Sequence, residues 1–85
     1  MPPNITVYTQ PGCATCAQLK QYLDGLRVSY RERDVSRDAA ARLELEGIPG
    51  AGLPVTVIEG EAVLGFDRAR LADLLKARGV PTGSA

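Results

Sequence analysis

Histidine and tryptophan are absent from this chain, phenylalanine and methionine occur once each, and cysteine occurs twice. A structural zinc site takes four ligands, so this chain would have to complete one with carboxylates or with a partner chain, and no zinc is expected. An excess of charge of either sign is missing as well. Ten basic and ten acidic residues are mixed along the 85 positions with no basic block, which gives no reason to expect nucleic acid or an anionic membrane as a partner. Met1-Pro2-Pro3-Asn4 has neither the basic segment nor the apolar run of a secretory signal, and no stretch is long and apolar enough to span a bilayer. A reducing, cytoplasmic setting is therefore expected. There, two closely spaced cysteines are more often catalytic than structural. Repeats and low-complexity segments are also lacking. The length suits a single domain, assigned to residues 1–80 with a tail at 81–85, that folds without staples.

What is present is a pair of thiols, Cys13 and Cys16, in Tyr8-Thr9-Gln10-Pro11-Gly12-Cys13-Ala14-Thr15-Cys16. The β-branched and aromatic run Ile5-Thr6-Val7-Tyr8 has the makings of a central strand, and Pro11-Gly12 ends it in a turn. Beyond the turn, Cys16, Leu19, Leu23 and Leu26 recur at helical spacing, so Cys16 lies on the stripe that faces the core. Cys13 lies off that stripe, at the helix start, where unpaired N–H groups and the positive end of the helix dipole favour thiolate. A dithiol so placed attacks a disulfide with one sulfur and releases it by closing on the other. Cys13 is the expected nucleophile and Cys16 the resolving thiol. As a structural staple the pair would be weak, because closing so short a loop removes little entropy from the unfolded chain.

The remaining residues read as alternating elements. A second strand is expected from Val28 to Val35, polar enough at Arg31, Glu32 and Arg33 to be an edge, and Ser36 is expected to cap a helix running to about Glu46 before Gly47. Val55 to Ile58 and Ala62 to Leu64 flank Glu59-Gly60-Glu61 as a hairpin. A last helix starts at the cap Asp67, buries Leu71, Leu74 and Leu75, and stops at Gly79. Gly47 to Gly52 is one irregular loop.

Strand, Cys-x-x-Cys helix, strand, helix, hairpin and helix together resemble the smallest form of the thioredoxin fold, the glutaredoxins and the glutaredoxin-like NrdH-redoxins. The likeness spans residues 4 to 79. It rests on the Tyr8–Cys16 stretch, on Leu53-Pro54-Val55 and on Leu64-Gly65-Phe66-Asp67. It implies an α/β fold of βαβαββα order, with a four-stranded mixed sheet and helices on both faces. It also implies a thiol–disulfide oxidoreductase with no bound cofactor. In this family the proline matching Pro54 is cis and faces the dithiol, leaving the backbone of the residue before it, here Leu53, to pair with a bound peptide or glutathione. The resemblance thus places Gln10, Thr15, Leu53, Pro54, Gly65, Phe66 and Asp67 at a substrate site beside Cys13 and Cys16. Without the resemblance, Pro54 would read as a loop proline opening an edge strand.

Departures from the family pattern bear on the electron donor. Glutathione-dependent members usually carry Lys or Arg three residues before the nucleophile, Pro-Tyr between the cysteines, and Gly-Gly before an acidic residue. Here stand Gln10, Ala14-Thr15 and Gly65-Phe66-Asp67. Gln10 offers no cation to a glycyl carboxylate, and Phe66 fills space that a glycine leaves open. These features resemble NrdH-redoxins, which serve ribonucleotide reductase and are usually reduced by thioredoxin reductase. Asp67, directly after Phe66, departs from their pattern and suits the amino group of a γ-glutamyl end. NADPH is the expected electron source, through thioredoxin reductase or through glutathione, and disulfide-containing proteins are the expected partners of a monomer. A lone Phe66 beside a cap reads equally as core. Arg68 and Arg70 read as solvated helix charges, with Arg68 also placed to bind an anion. A glutathione-dependent deglutathionylating enzyme is the first alternative. An arsenate-reductase-like enzyme is disfavoured because the loop before Pro54 holds no arginine, and a redox-inert adaptor because both cysteines are present.

Overall fold

The computed structural model describes residues 3–82. Seven elements follow in the order β1 (Ile5–Thr9), α1 (Ala14–Gly25), β2 (Arg31–Asp34), α2 (Ala39–Glu46), β3 (Val55–Ile58), β4 (Glu61–Leu64) and α3 (Arg68–Ala77). The sheet has the order β2-β1-β3-β4. β1 runs parallel to β2 and antiparallel to β3, and β3 antiparallel to β4, so the sheet is mixed, as expected. Alternation along β1 divides the core. Ile5 and Val7, with Ile58 and Val63, pack against Leu19 and Leu23 of α1 and Leu71 and Leu75 of α3. Tyr8 and Val55 face the other way, toward Ala41 and Leu45 of α2. Of the tail expected at 81–85, Pro81 and Thr82 carry no helix or strand and the rest lies outside the described residues, as do Met1 and Pro2.

Three local expectations are corrected. β2 is confined to Arg31–Asp34, shorter than the run from Val28, because among the described residues it pairs with β1 alone, whose register reaches from Thr6 opposite Arg31 to Thr9 opposite Asp34. Val28 and Tyr30 pack instead on the core from outside the ladder. The cap of α2 is Asp38, whose carboxylate accepts the Ala41 N–H at 3.0 Å, and not Ser36. Both the N–H and the hydroxyl of Ser36 donate to Asp34 Oδ1, at 2.9 and 2.6 Å, which spends this residue on a turn. The hairpin loop is Glu59-Gly60 alone, both at positive φ, which matches a two-residue type I′ turn; Glu61 belongs to β4.

An ionic cluster ties α2 to the sheet. Arg33 donates to Asp38 at 3.1 Å and to Glu44 at 2.6 Å, and the Tyr8 hydroxyl donates to Glu44 at 2.8 Å. The Arg33 guanidinium and the Tyr8 hydroxyl hold the Glu44 carboxyl below its ordinary range. The Ala41 N–H, then Arg33, does the same for Asp38.

Candidate functional site

Sheet register gathers the site. Tyr8 pairs with Val55 and Val55 with Leu64, so the loop to Cys13, the Leu53-Pro54 segment and Gly65-Phe66-Asp67 all leave the sheet at the same end. Gly12, at φ 81°, makes the turn into α1 in a conformation that L side chains rarely adopt. Cys13 is the cap of that helix: it has extended backbone, and its Sγ accepts the Cys16 N–H at 3.1 Å. Its carbonyl accepts from Ala17 at 3.2 Å, and no acidic residue stands in the first turn. A thiolate at Cys13 would therefore meet a pointed N–H and a helix dipole, with no local carboxylate opposing it. Cys16 lies one turn on and is 2 % exposed, whereas Cys13 is half-buried. The two sulfurs are at disulfide contact and their Cα atoms are 5.2 Å apart, within the roughly 4.4–6.8 Å that a disulfide spans.

The other residues that the resemblance placed here sit around this pair in different ways. The Leu53–Pro54 peptide is cis, the form the resemblance implied; Pro54 is buried and its carbonyl accepts the Gly65 N–H at 2.8 Å, which joins two of the three segments. Leu53 is half-buried, while Gln10 and Thr15 are exposed. Gly65 is at φ 70°. Asp67 caps α3, its carboxylate accepting the Arg70 N–H at 3.1 Å. Phe66 is half-buried and packs on the α1–α3 core, its ring 5.9 Å from that of Tyr22. Its side chain thus serves the core and lines the surface together.

Two features were not legible in the sequence. Thr9, the last residue before the dithiol loop, is buried and donates to Glu32, which also accepts from Lys20; both bonds are 2.9 Å. Lys20, then Thr9, lowers the Glu32 carboxyl. Tyr22 flanks the apolar stripe of α1 and carries the Arg68 guanidinium above its ring at 5.1 Å. Such contacts join distant positions, and neither spacing nor motif announces them. Among the described residues, no three His, Cys, Asp or Glu side chains cluster as metal ligands do.

The glutaredoxin family model matches residues 5–63, which include β1, the dithiol, the cis proline and the hairpin up to Val63. The chain belongs to the glutaredoxin family. It is 33 % identical over 73 residues to the gene 56 protein of Mycobacterium phage D29, covering 84 % of this chain and 81 % of that one. Among solved structures, the thioredoxin-like protein BC3987 is 44 % identical at a TM-score of 0.79, covering 85 % of this chain and all of the other. Escherichia coli NrdH-redoxin, described as glutaredoxin-like with a thioredoxin-like activity profile, is 26 % identical at a TM-score of 0.69, over 84 % of this chain and 93 % of its own. As a glutaredoxin-like redox protein, this chain carries its Cys-x-x-Cys pair where the thioredoxin fold presents one, at the start of the first helix.

Proposed function

We propose that this glutaredoxin is a dithiol oxidoreductase that reduces protein disulfides. The observation that carries the reading is the asymmetry of the pair: Cys13 is partly exposed on a helix cap, and Cys16 is buried at disulfide contact behind it. In the reaction, the Cys13 thiolate attacks one sulfur of the client disulfide, forming a mixed disulfide and releasing the other client sulfur as a thiolate. Cys16, losing its proton, then attacks Cys13 Sγ. The Cys13–Cys16 bond forms and the second client thiol leaves, so the client gains two electrons that the dithiol loses. Leu53 offers its backbone groups to the client from the loop held by Pro54, and the setting is a reducing cytoplasm.

NADPH recharges the dithiol through thioredoxin reductase in this reading, and ribonucleotide reductase is one suitable client. Its support is local. Gln10 supplies no cation, and the half-buried Phe66 ring, next in sequence to Gly65, packs beside Tyr22 of α1 and stands where a glycine would leave the backbone open to a thin tripeptide. The experiment follows NADPH oxidation with thioredoxin reductase, or with glutathione and glutathione reductase. The thioredoxin reductase system is expected to support the faster turnover. Gln10→Lys combined with Phe66→Gly should raise glutathione-coupled turnover roughly tenfold, the scale of one charge-assisted hydrogen bond to a carboxylate. Efficient glutathione turnover by the unaltered protein, little changed by the double substitution, would assign the donor role to glutathione and Phe66 to the core alone.

The helix cap carries its own prediction. Alkylation of the reduced protein at Cys13 should show an inflection with pH below the free-thiol value of about 8.5. An inflection at or above that value would remove the argument from the helix terminus.

A further inference from the structure

Between α1 and the start of α3 lies an open groove of about 380 Å³, lined by Gln18, Gln21, Tyr22, Phe66 and Arg68. Its floor is apolar: the Phe66 and Tyr22 rings meet at 5.9 Å with their planes inclined by 57°. Its one charge is the Arg68 guanidinium, 5.1 Å above the Tyr22 ring. That cation stands where the helix does not favour it. Arg68 is the first residue of α3, and a positive charge at the positive end of a helix dipole is unfavourable; the first turn holds no acidic residue, and the carboxylate of the cap Asp67 is turned to the Arg70 N–H. Among the described residues no carboxylate lies within ion-pair distance of Arg68, as is true of every Lys and Arg here except Lys20 and Arg33; what sets Arg68 apart is that it lines the groove. The ring beneath holds the guanidinium in place without neutralising it.

We propose that this groove receives the segment of a client protein that flanks the attacked disulfide, and that Arg68 selects clients with a carboxylate there. The inference rests on the dithiol chemistry proposed above. Reach supports it: Gln18 and Gln21 follow Cys13 by five and eight residues, roughly 7.5 and 12 Å along the helix axis. An extended client advances about 3.3 Å per residue, so a side chain roughly two to four positions from its cysteine arrives over the groove. Charge complementarity specifies the occupant. Arg68 lines the groove with no carboxylate in ion-pair contact, the positive end of α1 opens at the same end of the sheet, and Gln18 and Gln21 add amide donors without adding negative charge; the one carboxylate near this end of α3, that of Asp67, is engaged by the Arg70 N–H.

The test uses the full chain and three synthetic peptides, each with one internal disulfide and with aspartate, asparagine or lysine placed three positions outside each cysteine. The wild type is expected to reduce the aspartate peptide about three- to fivefold faster than the asparagine peptide, the scale of an exposed charge pair, and the lysine peptide slowest. The preference should shrink as salt is added. Arg68→Gln should bring the three rates together and Arg68→Glu should invert their order. Arg78→Gln, which removes an equal charge at the far end of α3, should leave the order intact. Comparing rates within each variant makes the result independent of its total activity. Equal rates in the wild type, or a preference that survives Arg68→Gln, would overturn the proposal while leaving the dithiol reading in place. Failure to reduce any of the three peptides would overturn both.

Discussion

Cys13→Ser is expected to bring protein-disulfide reduction down to the uncatalysed rate, because a serine hydroxyl cannot form the mixed disulfide through which the electrons pass. Cys16→Ser should behave differently. Its Cys13 still caps α1 and still has the partial exposure that attack requires, so the first step proceeds. Release fails, because the sulfur that stands at disulfide contact is gone. One client should be taken up per protein molecule, with little further turnover. Insulin reduction followed by turbidity, with an NADPH-coupled reductase, separates the two variants. Steady turnover by Cys13→Ser, or failure of attack in Cys16→Ser alone, would reverse the roles given to the two thiols.

The second large effect is on stability. Leu19 follows Cys16 by three residues on α1, is fully buried, and packs among residues of β1, β3, β4 and α3. Leu19→Ala should cost about 2–5 kcal/mol, the transfer of the lost carbons plus the cavity they leave. Domains have roughly 0.05–0.15 kcal/mol of stability per residue, so the loss is a large share of the total for a chain of 85 residues. With a urea dependence of about 1 kcal/mol per molar for a small protein, the unfolding midpoint should fall by roughly 2 M or more. The helix that carries the dithiol would loosen with it. A shift below about 0.5 M would mean that α1 is not anchored through Leu19.

How much of this was legible in advance depended on how local the cause was. The stripe Cys16, Leu19, Leu23 placed α1 and separated the two thiols, because helical periodicity decides which side chains turn inward; in the structure all three are buried. Asp67 was readable as a cap because it immediately precedes the apolar pattern of α3. The cap of α2 is Asp38 and not Ser36 because the Asp34 carboxylate engages Ser36 and leaves Asp38 to the helix, a contact that cap preference at Ser36 does not contain. The length of β2 was set by its partner strand, which no pattern within Val28–Val35 contains. The cis form of Leu53–Pro54 came from likeness to a family and not from propensity. Phe66 could be read as core or as surface; it is half-buried between the two, against a tyrosine on another helix. The Tyr22–Phe66–Arg68 groove and the Thr9–Glu32–Lys20 bonds depend on which distant residues the sheet brings together.

The most direct test of the dithiol account is to find the sulfur that carries the client. Reduced Cys16→Ser protein is incubated with an oxidised client, quenched in acid, and digested, and the disulfide-linked peptides are identified by mass spectrometry. The account predicts one client joined to each protein molecule through Cys13. A client that dissociates without ever being joined there, while its disulfide is still reduced, would contradict it.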